Sequence, residues 1–379
     1  MALALNDEQR FLKQTAAEFF AQQAPIAQLR QLRDQHSADG FDRATWQQMV
    51  ELGWSGILIP ERFGGSDFGF LGLALVLEES GRTLAATPLL ATALIGASAL
   101  LLGGSAAQQQ AHLPAIAAGQ RLSALAIEEQ GRHAPYQIAC RVERQGSGFV
   151  LDGSKQFVID GHVADLLIVS ARSRGQPGER DGITLLLVPA DAPGVTITRN
   201  QMVDSRNAAS IRFDRVKLEA DALLGQEGEG AALLDALLDR ARIGLAAEML
   251  GSLQECFERT IGYLKERQQF GVAIGSFQAL KHRAAQMFCE VELCKSVVLQ
   301  AASSIDDAPD QSALLASLAK ARLCDTATLV SNEGIQMHGG IGMTDEFDIG
   351  FFIKRARVAA HAFGDANYHR DRYATLDGY

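Results

Sequence analysis

One stretch constrains the fold more than any other. Leu233, Leu237, Leu238, Ile243, Leu245, Leu250, Leu253, Phe257, Ile261 and Leu264 recur at three- and four-residue steps, the pattern of a long helix burying one continuous stripe. The pattern breaks at Arg267-Gln268-Gln269-Phe270-Gly271, passes through Val272 to Ser276, and resumes at Phe277-Gln278. Gly271 and Gly275 are natural stop and turn residues between two helices. An Arg at a helix C-terminus, with an aromatic and a second polar side chain across a tight turn, suits a phosphate-bearing ligand with a planar ring. It also suits a plain helix hairpin with its cation at the favourable end. Spacing leaves both open.

The texture of the chain changes twice around this stretch. Residues 1–120 read as helical, with Asn6-Asp7-Glu8-Gln9 as a capped start and Phe11, Leu12, Ala16, Phe19 and Phe20 as a buried stripe. Phe41 to Leu52 reads as a helix closed by Gly53, and Leu71 to Leu84 as another carrying Glu78-Glu79. From 121 to 225 the pattern turns to alternation. Phe149–Gly153, Leu166–Ser170, Ile183–Val188, Val195–Ile197 and Ser210–Phe213 are short β runs separated by Asp-Gly and Pro-Gly pairs. This segment is expected to be a compact antiparallel β domain, with Ser173 to Asp181 as an exposed loop. Residues 226–379 return to helix, with four or five expected. The fold class is therefore α+β in three domains: helical, β, and a C-terminal helical bundle.

With 379 residues the chain can bury several packed layers. A formal charge of −10 argues against nucleic acid or an anionic membrane as the main partner. Five cysteines without CxxC spacing favour buried thiols and a reducing, cytoplasmic setting over disulfides or zinc. No apolar run is long enough for a bilayer span, and Met1 to Glu8 lacks the basic start of a signal peptide.

Two blocks carry a resemblance. Arg267-x-Gln269-Phe270-Gly271 followed by Ile274-x-x-Phe277-Gln278, and Gln336-Met337-His338-Gly339-Gly340-Ile341-Gly342, closely resemble the signature segments of the acyl-CoA dehydrogenases. The likeness extends over nearly the whole chain, including a Pro60-Glu61-x-x-Gly64-Gly65 segment. It implies FAD as cofactor, an acyl-CoA thioester of fatty-acid or steroid side-chain type as substrate, electron-transfer flavoprotein as acceptor, and a homo- or hetero-oligomer. It implies further that Arg267, Phe270, Gln278, Gln336, Gly339 and Gly340 hold the adenosine and pyrophosphate of an FAD lying mainly in a neighbouring subunit. Phe157, Asp365 and Asn367 fall where the family touches its cofactor, and Arg242 where it touches substrate.

The same comparison exposes gaps. The family removes an α-proton with a Glu placed just before a Gly, or, in a minority, with a Glu just before the substrate-contacting Arg. Here these places hold Phe363, before Gly364, and Ala241, before Arg242. Glu128 and Ile159 replace hydroxyl-bearing residues on the flavin-ring side. Asp365, two residues past the usual position, is the remaining candidate for a base, and Asp is equally a favoured helix N-cap. The resemblance thus implies a desaturating flavoprotein whose chain lacks a base and completes a partner's site. The alternatives are a self-sufficient homo-oligomer using Asp365, or a non-enzymatic CoA-ester-binding scaffold.

Overall fold

The computed structural model describes residues 4–379. In chain order, α1 (Asp7–Gln23), α2 (Ile26–Asp34), α3 (Arg43–Glu51) and α4 (Phe70–Arg82) come first. A π-helical segment, Leu89–Gly96, runs into α5 (Ala97–Gly103), followed by α6 (Ala106–Ala117). The strands are β1 (Ser123–Ala126), β2 (Arg141–Gln145), β3 (Gly148–Ile159), β4 (Leu166–Arg172), β5 (Ile183–Pro189), β6 (Val195–Gln201), β7 (Asn207–Leu218) and β8 (Leu223–Leu224). Then come α7 (Ala231–Glu266), a small hairpin of β9 (Gln268–Gln269) and β10 (Val272–Ala273), α8 (Gln278–Asp307), α9 (Pro309–His338), α10 (Ile349–His361) and α11 (Ala366–Leu376).

The chain forms two compact units that cut across the linear order. One contains the described residues to Gln31, Phe70–Ala85 and Arg242–Tyr379; the other contains Leu32–Gly69 and Ala86–Ala241. In the first unit α1 starts where the sequence says it should: Asn6 Oδ1 accepts from Gln9 N at 2.8 Å and Gln9 Oε1 accepts from Asn6 N at 3.0 Å, a reciprocal capping box. Ala16 and Phe20 form its buried stripe, but Phe11 is 73% exposed. Five residues before Ala16, it lies about 140° around the helix from the stripe, and apolarity alone does not identify its face. Helix α4 crosses α7 at two glycines. A Cβ on Gly81 would stand 1.9 Å from the Glu248 carbonyl oxygen, and one on Gly251 1.7 Å from that of Glu78, so only glycine permits this approach. Arg355 on α10 donates to both carboxylate oxygens of buried Glu248, at 2.8 and 3.1 Å.

The second unit is built on one sheet, in the order β6-β7-β3-β2-β4-β5-β8, with β1 also beside β4. It is not wholly antiparallel as the pattern suggested, because β1 and β2 both pair with β4 in parallel. Alternation reveals which residues share a face but not strand direction. A register shift lies between Lys155 and Val158 of β3, and there Phe157 takes φ 51°. The loop from 173 to 181 joins antiparallel β4 and β5 and is wrapped around Arg172, whose buried guanidinium donates to the carbonyls of Tyr136, Ile138, Glu179 and Asp181. Helix α2, which spans the end of the first unit and the start of this one, had no separate signal in the sequence, and Pro114 lies inside α6.

Candidate active site

Helix α10 ends at His361, and the chain turns through Phe363 (φ 57°) and Gly364 (φ 105°) before α11 begins. A bulky residue in the left-handed region persists only where its surroundings hold it. They do so here. Buried Arg242 donates from Nε to the Phe363 carbonyl at 3.2 Å, and its Nη2 lies 3.2 Å from the Tyr368 hydroxyl. The His369 ring donates from Nε2 to the same carbonyl at 3.0 Å. The Phe363 side chain is buried, as is Ala241, one residue before Arg242 on α7. Asp365 is the N-cap of α11, its carboxylate accepting from Tyr368 N at 2.9 Å. Asn367, the second residue of the helix, is exposed and accepts from Arg370.

The two signature blocks lie at the ends of α7 and α9 in this same unit. Phe270 (φ 53°) and Gly271 (φ 78°) form the tip of the β9–β10 hairpin, a geometry requiring positive φ at both central residues. Phe270 is 92% exposed and makes an edge contact with Phe277, 6.0 Å between ring centroids. Arg267, Gln278, Gln336, Gly339 and Gly340 are exposed as well. Tyr263 on α7 stacks on His338 at the end of α9, 4.4 Å between centroids, which ties the two blocks together. His338 Nδ1 donates to the Gly334 carbonyl, and burial pushes its imidazole below the ordinary pKa. That is a packing role.

In the other unit Phe157 stands out from the sheet, 45% exposed in a left-handed conformation. Gln156 fixes it to the preceding loop, donating from its backbone N to the Glu128 carbonyl at 2.7 Å and from Nε2 to the Glu129 carbonyl at 2.8 Å. The Glu128 carboxylate turns back onto its own loop, pairing with His133 and accepting from Ala134 N. Glu129 pairs with fully buried Lys155 at 2.6 Å. Ile159 is half-buried in β3.

Three family models match along the chain: acyl-CoA dehydrogenase N-terminal domain at residues 6–120, middle domain at 124–216, and C-terminal domain at 228–375. Mitochondrial isovaleryl-CoA dehydrogenase of Pongo abelii is 31% identical over 378 residues, covering 97% of this chain and 88% of its own. The chain belongs to the acyl-CoA dehydrogenase family. Among solved acyl-CoA dehydrogenase folds, a variant of the Tcur3481-Tcur3483 steroid ACAD superposes with a TM-score of 0.88 at 30% identity, covering 98% of each chain. The ChsE4-ChsE5 complex from Mycobacterium tuberculosis gives 0.88 at 25% identity, covering 100% of each.

Acyl-CoA dehydrogenases are FAD flavoproteins, and this member's surfaces fit that cofactor. Added Cβ atoms at Gly271, Gly339 and Gly340 would meet nothing within 4 Å, so backbone there faces open space a diphosphate can approach. Exposed Phe157 and Phe270 offer ring faces. No helix among the described residues is long and apolar enough to cross a membrane, and no cluster of His, Cys, Asp and Glu among them could hold a metal. All five cysteines are free, with Cys289 exposed and the others buried. Sequence reasoning missed Lys320, Tyr368 and His369. Lys320 left a trace: it interrupts the buried stripe Ala316, Ala319, Leu323, Cys324 and Ala327 of α9, and a lysine inside such a stripe needs buried partners.

Proposed function

We propose that this chain is a base-lacking acyl-CoA dehydrogenase subunit that completes the FAD site of a base-bearing partner chain. One observation carries the reading. Arg242 still anchors the Phe363 carbonyl at 3.2 Å, so the frame around the base position is intact, yet the side chains at the two base positions are a phenyl ring and a methyl group. Asp365 is engaged as a helix cap, the role that competes with proton abstraction. The exposure of the entire adenosine-side set in a single chain supports its use by a neighbour. Likeness to the ChsE4-ChsE5 complex supports a heteromer.

In α,β-desaturation a base must take the proton from the carbon next to the thioester carbonyl. Neither Phe363 nor Ala241 can accept one, so that step falls to the partner's carboxylate. Bound FAD supplies the hydride-accepting chemistry. Arg267, Phe270, Gln278, Gln336, Gly339 and Gly340 would hold the adenosine and pyrophosphate of the partner's FAD, Arg267 supplying positive charge and the two glycines leaving room for the phosphates. Of the residues the family resemblance marks, Phe157 in one unit and Asp365 and Asn367 in the other would each contact a flavin, and Arg242 would contact the acyl-CoA. Electrons leave to an electron-transfer flavoprotein. The steroid class of the Tcur3481-Tcur3483 protein is the first substrate class to test.

The test is turnover of the purified chain alone on short, medium and bulky acyl-CoAs with an artificial electron acceptor. The expected result is negligible enoyl-CoA formation, unchanged by Asp365→Asn. Phe363→Glu is expected to raise the rate about 10²–10⁴-fold, the usual worth of a positioned general base. Brisk wild-type turnover abolished by Asp365→Asn, with FAD still bound, would make Asp365 the base and overturn the proposal.

A further inference from the structure

The loop at the base position is held from beneath by a group outside the site described so far. Helix α10 must dispose of the carbonyls of its last turn, which have no partners within the helix. Val358 O accepts from Ala362 N and His361 O from Gly364 N, which leaves Ala359 and Ala360. Both are taken by Lys320, which reaches across from α9: its Nζ lies 2.9 Å from Ala359 O and 3.2 Å from Ala360 O. The same ammonium reaches Gly364 O at 3.0 Å, with Cys324 Sγ beside it at 3.3 Å. Lys320 is fully buried. A lone buried ammonium is costly, and here its three protons meet three carbonyl oxygens at the negative end of a helix.

With Arg242 and His369 on the Phe363 carbonyl and Lys320 on that of Gly364, the turn is clamped from two sides. We propose that Lys320 is a positioning residue for the cofactor: by clamping the end of α10 to Gly364 it sets the Phe363–Asn367 segment where FAD is gripped. The inference rests on the reading that Asp365 and Asn367 touch the cofactor. Burial lowers the Lys320 pKa from its ordinary value, with Arg242 adding to that and Cys324 and Asp365 opposing it. The carbonyl cluster keeps the site suited to a cation and unsuited to an apolar side chain. Methionine matches lysine in length and removes all three donors.

The experiment compares Lys320→Met with Arg267→Ala in the FAD-loaded assembly, reading the FAD dissociation constant and amide hydrogen exchange. Lys320→Met is expected to weaken FAD at least tenfold and to speed exchange across residues 362–369, leaving exchange in α7 and α8 unchanged. Lys320→Gln, which keeps two donors, is expected to fall between wild type and Met, and it carries the same readouts should the Met variant fail to fold. If Arg267→Ala weakens FAD while the Lys320 variants retain it at wild-type affinity, the positioning role is wrong and the cofactor site stands. If neither position affects FAD, the cofactor reading itself falls.

Discussion

Phe270 separates what serves the fold from what serves the site. It sits in a two-residue hairpin turn at φ 53°, a conformation costing a side-chain-bearing residue about 1–2 kcal/mol relative to glycine. Against this it gains one edge contact with Phe277 at 6.0 Å, about 0.5–1.5 kcal/mol, with the lower end apt because the ring is 92% exposed. Phe270→Gly therefore leaves the chain about as stable as before or up to about 1 kcal/mol more stable. Toward the cofactor the same change removes an aromatic cover, and burying such a ring is worth about 1.5–3 kcal/mol, which is about 10–150-fold in affinity. The assay is paired: thermal unfolding of the apo chain, and FAD affinity by recovery of flavin fluorescence on release. A melting temperature unchanged or raised, with FAD binding weakened at least tenfold, is the expected result. A variant that melts clearly lower, or that keeps FAD at wild-type affinity, refutes the reasoning.

Two further outcomes are expected. Because the adenosine-side residues face away from their own chain, sedimentation at micromolar concentration should give a dimer or tetramer; a stable monomer retaining FAD would contradict a shared site. Burial raises the pKa of Glu79 above its ordinary 4.5, with Lys13 and Arg82 opposing and Glu78 reinforcing the shift. Lys13 and Arg82 stand 3.5 and 3.8 Å from its carboxylate. A raised native value means stability is fully present below the unfolded pKa and lost as pH climbs through the native one. The melting temperature of Glu79→Gln relative to wild type should therefore rise across that window and then level off; a difference flat from pH 4 to 8 would show that Glu79 does not titrate as described.

Much of this molecule is legible in its sequence, and the limits have physical causes. The capping box at Asn6, the β runs and the long stripe of α7 follow from local chemistry or strong periodicity. The turn at Gly271 is legible for the same reason, but the short strand pairing beside it, Gln268–Gln269 with Val272–Ala273, was not foreseen. Strand direction is not, because β1 and β2 alternate alike whether they run with β4 or against it. The side of α1 on which Phe11 falls depends on what packs there. The residues at the two places where a base is expected, Phe363 and Ala241, could be read directly, and the structure buries both. Asp365 left two roles open, and only the 2.9 Å contact with Tyr368 N displays the cap. Lys320 showed only as a break in an apolar stripe, and its role was hidden because its partners are backbone carbonyls 39 to 44 residues away, which carry no sequence signal.

The crossing of α4 and α7 has a consequence for how such a chain can change over generations. At Gly81 and Gly251 each helix receives the other's carbonyl, and the residues supplying those carbonyls, Glu248 and Glu78, turn their buried side chains to Arg355 on α10 and Lys13 on α1. Helix axes are thus registered by backbone against backbone, with no chemistry-bearing residue taking part. Mutation can erase a proton acceptor several turns away without moving that datum. Catalysis is separable from architecture in such a protein, and a gene copy that loses the first still inherits a complete template of the second.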